Sequence, residues 1–203
     1  MPTLELWRRA AAGLALFGVL SAASPADASV ASRGEVSGKV LGIEMKIRHF
    51  TLGNGLRVFV LEDHSTPMFS MHLAYRVGSR DEQPGKSGFA HLFEHMMFKG
   101  SENVPEGGHS RLIQGAGGTL NAFTTADVTQ YFQTVPSHYL DMVLWLEADR
   151  LRSLAVTDEN FENQRDAVQE EKAMRFENRP YVMELLQFFA AAWTGTGYGH
   201  VTI

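Results

Sequence analysis

The sequence predicts an α+β fold in which a mainly antiparallel sheet carries helices on one face. Three observations predict it. Strand-like segments come first and helix-like segments later, with one helix inserted among the strands. An Asn-Gly pair separates two early strand-like runs, which is a strong hairpin cue. The 203 residues are 44% hydrophobic and 20% charged, enough for one domain with its own core.

The first segment stands outside that fold. In "MPTLELWRRAAAGLALFGVLSAASPADAS", Arg8 and Arg9 precede an apolar run from Ala10 to about Ala23. A small-x-small site follows at Ala26-Asp27-Ala28. This is the plan of a secretory signal peptide over residues 1–28, cleaved after Ala28, and it points to a periplasmic or secreted bacterial protein. The alternative is an uncleaved membrane anchor, although the run falls short of the roughly 20 residues that span a bilayer. Residues 29–45, with Ser and Gly prominent in Ser29–Gly38, read as a linker. Residues 46–203 read as a single domain.

Within that domain, "MKIRHFTL", the turn Gly53-Asn54-Gly55 and "LRVFVLED" give strand, turn, strand. "MFSMHLAYRVGS" is a third strand, and "DEQPGKSG" a loop. Helix character starts near Ser87 and runs to Gly100, a natural stop. A short helix follows near Ser110–Gln114. "GTLNAFTTAD" and "VTQYFQTVP", rich in Thr, Phe, Tyr and Val, read as a strand pair. Helical patterning then covers Ser137–Ser153, Asp158 to about Asn178, and Tyr181–Trp193.

Charge and cysteine count exclude several functions. A formal net charge of −5 leaves no basic surface for nucleic acid. With no cysteine there is no disulfide, no thiolate nucleophile and no thiolate ligand, so any metal must be held by nitrogen and oxygen donors.

The stretch "HLFEH", His91 to His95, carries the chemistry. Residues four apart share a helix face, so both imidazoles can reach one ion at about 2.0–2.1 Å. Glu94 flanks the same face, where a carboxylate can take a proton from a metal-activated water without binding the metal. HxxEH is the inverse of the commoner HExxH. The plainer alternative is a core helix with two capped histidines, but such a polar patch is costly without a partner.

A third ligand is sought in "DENFENQRDAVQEEKAMRFENRP". On a helical wheel, Phe161, Ala167, Val168 and Met174 mark an apolar arc that also contains Gln164 and Glu171, while Glu170 lies off it. Glu171 is then either half of a buried salt bridge, to Arg165 or Arg175, or a metal ligand delivered from a distant helix. The remaining histidines, His49, His64, His72, His109, His138 and His200, match no ligand spacing and read as surface or capping residues.

These residues carry a resemblance. HLFEH within "GFAHLFEHMMFKGS", Glu171 within "NQRDAVQEEKAMRFENRPY", and "GTLNAFTTADVTQYFQTVP" resemble the insulinase/pitrilysin family of zinc metallopeptidases, which includes the β subunit of the mitochondrial processing peptidase and small bacterial relatives. The likeness runs from about Lys46 to the end. It implies a zinc endopeptidase with one Zn2+ per chain, His91, His95 and Glu171 as ligands, and Glu94 as general base. It implies that Asn121, Ala122 and Phe123 form a sheet edge where the backbone of a peptide or unfolded protein adds as a strand. Read without the resemblance, Asn121 after Gly117-Gly118 is equally a turn residue. Many relatives have a second glutamate seven residues before the ligand. Here it is Gln164, which can hydrogen-bond around the site but adds no negative charge.

Relatives are built from paired domains in two halves. The resemblance therefore implies a truncated domain, incomplete at its C-terminus, with the other half or a partner subunit supplying the Arg-Tyr pair that holds the substrate carbonyl. Two alternatives compete with a peptidase: a catalytically inactive structural subunit of the same fold, and a periplasmic binding module with a fortuitous HxxEH.

Overall fold

A computed structural model describes residues 29–40 and 43–203, so the expected signal peptide lies outside the described residues. Among the described residues no helix is long and apolar enough to cross a membrane. The described residues form two compact units, one ending at Pro67 and the other running from Met68 to Ile203.

The first unit is an antiparallel meander of β1 (Val30–Val40), β2 (Ile43–Leu52) and β3 (Arg57–Leu61), in that order. The β2–β3 hairpin closes through Asn54 as expected. Leu52 N–H donates to Leu56 O at 2.9 Å, and the Asn54 side chain accepts from Leu56 N–H at 3.0 Å. The expected linker is corrected: its Ser/Gly stretch is β1, paired with β2 from Val30↔Leu52 to Val40↔Ile43. Its composition misled because a strand with both faces largely wet needs no apolar alternation; the backbone ladder holds it. Gly34 is used sterically, since a Cβ there would lie 2.5 Å from Nε2 of His49, its cross-strand partner. Residues 46–203 fall into both units, which meet at Pro67, β2 and β3 forming their ladders with β1 and each other.

The second unit opens with β4 (Met68–Tyr75). α1 (Phe89–Met96) and α2 (Gly108–Gly115) follow, then β5 (Thr119–Thr124) and β6 (Thr129–Pro136). α3 (Leu140–Ser153), α4 (Asp158–Lys172), a π-helical turn (Ala173–Glu177) and α5 (Val182–Ala192) complete it. The strand order is β4-β6-β5, antiparallel throughout. On β6 the period of two buries Thr129, Tyr131, Gln133 and Val135. Val135 meets Ile113 of α2 and Val143 and Leu146 of α3 in the core, with Phe69, Met71 and Leu120 from the same sheet packed against them. This is the expected α+β arrangement.

Two boundaries differ from expectation. α1 stops at Met96, and the chain tightens into i→i+3 bonds, Phe98 N–H to His95 O and Lys99 N–H to Met96 O. Gly100 follows at φ 98°, where a Cβ would meet Val104 O at 2.7 Å. In α4 the sheltered line is Phe161, Gln164, Val168 and Glu171, all half-buried, whereas Ala167 and Met174 are exposed. Met174 leaves the expected arc because it sits in the π turn, whose i→i+5 bonds (Asn178 N–H to Ala173 O, 2.8 Å) break the 3.6-residue period.

Candidate metal centre

α1 begins where the Glu82 carboxylate caps it, accepting from Gly88 N–H at 2.9 Å and Ala90 N–H at 2.7 Å. Helix starts leave such N–H groups unpaired and favour an anion. The cap sets the start of the helix from which His91, Glu94 and His95 project.

Three side chains converge there. Glu171 Oε2 lies 3.2 Å from His95 Nε2 and 3.8 Å from His91 Nε2. The two imidazoles stand nearly perpendicular, at 83°, with centroids 4.7 Å apart. Among the described residues this is the group able to share an ion, with one donor atom from each within 4.8 Å of the others. Ligands about 2.0–2.1 Å from a tetrahedral ion sit roughly 3.3 Å from each other, so the spacing fits zinc with a small contraction. Nitrogen and carboxylate donors are also the kind zinc takes.

The electrostatics agree with that fit. Burial, followed by the neighbouring His95, pushes His91 down to about 4, so it is neutral near pH 7 with a lone pair available. His91 Nδ1 is buried and has no hydrogen-bond partner among the described residues. The second oxygen of Glu171 is occupied by Arg175, 2.6 Å away. With Arg175 61% exposed, that pair orients the carboxylate more than it stabilises the fold. The salt-bridge alternative and the ligand alternative therefore coexist, one on each oxygen.

Glu94 stands beside this group. Thr124, the last residue of β5, donates its hydroxyl to Glu94 Oε2 at 2.5 Å. Burial pushes the Glu94 carboxyl above the usual carboxylate range, and the Thr124 hydrogen bond works against that rise. Gln164 lies on the sheltered line of α4, and its amide donates to Asn163 Oδ1 at 2.7 Å. Asn121, Ala122 and Phe123 lie on β5, which is paired on one side by β6 and is the sheet edge on the other. Asn121 is thus a strand residue, not a turn, and its Oδ1 accepts from Ala122 N–H at 2.9 Å.

One histidine needs correction. His109 is buried, 5% exposed, not a surface residue. Its Nε2 lies 2.9 Å from Gln133 Oε1, and Gln133 donates onward to Glu147 at 2.6 Å. Glu147 also takes two bonds from Arg150, at 2.7 and 2.8 Å, with the guanidinium 4.5 Å from the centre of the Tyr131 ring. Buried polar groups are tolerable when paired in this way. Thr124, Glu82 and this network were not legible as site neighbours, although the period of two along β5 would have turned Thr124 to the same side as Ala122.

Comparisons with known proteins follow the same line. The chain is 36% identical over 156 residues to the zinc protease PqqE of Helicobacter pylori, covering 73% of this chain and 35% of that protein. It is 33% identical over 117 residues to the mitochondrial cytochrome b-c1 complex subunit 1 of Rattus norvegicus, covering 58% of this chain and 24% of that one. The crystal structure of a protease from Helicobacter pylori superposes with a TM-score of 0.75 at 34% identity, over 78% of this chain and 38% of that one. The chain therefore spans little more than a third of the length of these bacterial relatives. The profile of the insulinase family, peptidase family M16, matches residues 57–202, a span that holds both histidines, Glu94 and Glu171, and the chain belongs to that family.

Proposed function

We propose that this chain is the zinc-binding part of an exported metallopeptidase that hydrolyses peptide bonds in peptides or unfolded segments. One observation carries the reading: His91, His95 and Glu171 converge from two helices, with the carboxylate of Glu94 beside them. His91, His95 and Glu171 would hold the ion, one per chain. Bound zinc supplies Lewis acidity to a water and to the scissile carbonyl. Glu94 takes the proton of the attacking water and returns it to the leaving amine. The free edge of β5 at Asn121–Phe123 receives the substrate backbone as an added strand, which favours extended chains over folded ones. Gln164 lies one helical turn-pair before Glu171 and contributes hydrogen bonding without charge. The leader over residues 1–28 supports export to the periplasm.

The likeness to a respiratory-complex subunit keeps a second reading in view, a structural subunit of the same fold. Retention of all four residues favours the peptidase. The deciding experiment measures zinc content and cleavage of an unstructured peptide by the complete gene product. Zinc-dependent cleavage, lost on chelation, is the expected result. Stoichiometric zinc without cleavage would favour the structural subunit, and no zinc uptake at all would leave only a binding module.

A further inference from the structure

We propose that Thr124 is a positioning residue for Glu94: its hydroxyl holds one carboxylate oxygen and leaves the other free to take the proton. The inference rests on the peptidase reading. An ionised carboxylate can only accept, so the 2.5 Å contact runs from Thr124 Oγ1–H to Glu94 Oε2. The proton of the neighbouring Thr129 hydroxyl goes to Val77 O at 3.0 Å. Thr129 therefore does not compete for Glu94, and its 3.5 Å approach to Thr124 leaves the Thr124 proton where it is.

The hydroxyl is held rigidly. Thr124 is paired with Thr129 at the end of β5, and its β-branched side chain is stiff about χ1. Glutamate, by contrast, has several rotatable bonds, and among the described residues the Glu94 carboxylate has no other hydrogen-bond partner. The strand that would receive substrate at Asn121–Phe123 thus also aims the base, so both are referred to one element. When Glu94 takes a proton from water, that proton goes to Oε1, Thr124 keeps its own, and the negative charge of the carboxylate passes to the attacking hydroxide.

The test compares Thr124→Val and Thr124→Ser in the complete zinc-loaded gene product. Thr124→Val should keep its zinc and KM but lose at least about tenfold in kcat, since misplacing a catalytic group by about an ångström is costly. Thr124→Ser should restore the rate. In a Glu94→Gln background, Thr124→Val should cost nothing further, because the two act as one unit. A Thr124→Val enzyme with normal kcat would overturn the proposal alone. So would loss of zinc, or a kcat loss that persists undiminished in the Glu94→Gln background, since either marks a merely structural role. If the wild type binds zinc yet cleaves nothing, the peptidase reading fails first. The Thr124–Glu94 bond is then judged by an unfolding cycle of Thr124→Val and Glu94→Ala, in which additive effects would overturn it. Should the valine variant not fold, Thr124→Ala serves in its place.

Discussion

Glu171 Oε2 lies 3.2 Å from His95 Nε2, a contact between two helices separated in the chain by the whole of α2, β5, β6 and α3. The contact selects Glu171 over its neighbour Glu170, which is exposed. Glu171→Gln should weaken zinc binding by roughly 10²-fold or more, beyond the 10–100-fold typical of residues that only support ligands, and Glu170→Gln should leave it unchanged. His91→Ala or His95→Ala should abolish binding. Zinc titration against a competing chelator checks all four. Affinity should also fall in acid as the ligands protonate.

Binding and chemistry should separate at Glu94. Glu94→Gln keeps the size of the side chain and loses the base. The variant should retain one zinc per chain while its cleavage rate falls by about 10²-fold or more, as expected for a positioned general base. Metal analysis and steady-state kinetics on the same preparation check this. A variant with full zinc and full rate would remove Glu94 from the mechanism.

The pH dependence of stability should report His109. Burial holds its folded-state value below the ordinary 6.5. The unfolded chain therefore binds a proton first as pH falls. The contribution is fully present above about pH 6.5 and is lost progressively below it, toward the lowered folded value. Urea unfolding at pH 7.5 and pH 5 should show lower stability at the acid end. His109→Gln should flatten part of that slope.

The buried pair Glu147–Arg150 should be costly to break from one side. Arg150→Met leaves Glu147, with a side chain only 4% exposed, without its cation. The expected loss is about 3–5 kcal/mol, the usual penalty for an uncompensated buried charge. Replacing both with apolar residues of similar size should cost less. Chemical denaturation of the single and double variants checks the difference.

Local pattern determined much of this protein. The i, i+4 spacing of His91 and His95 with Glu94 between them depends only on helix geometry, and so it was legible in five residues. The Asn54-Gly55 hairpin, the alternation in β6 and the order of strands and helices were legible for the same reason: each is a short-range periodicity. Tertiary structure alone decided the rest. Whether Glu171 faces Arg175 or the histidines depends on how α4 lies against α1, and the answer, one oxygen each, is a property of packing. The Ser/Gly stretch became β1 because β2 offered its ladder. Met174 left its arc because the helix widened into a π turn. Thr124 reached Glu94 because β5 runs beside α1. Such contacts join residues tens of positions apart, and no periodicity within either segment encodes them.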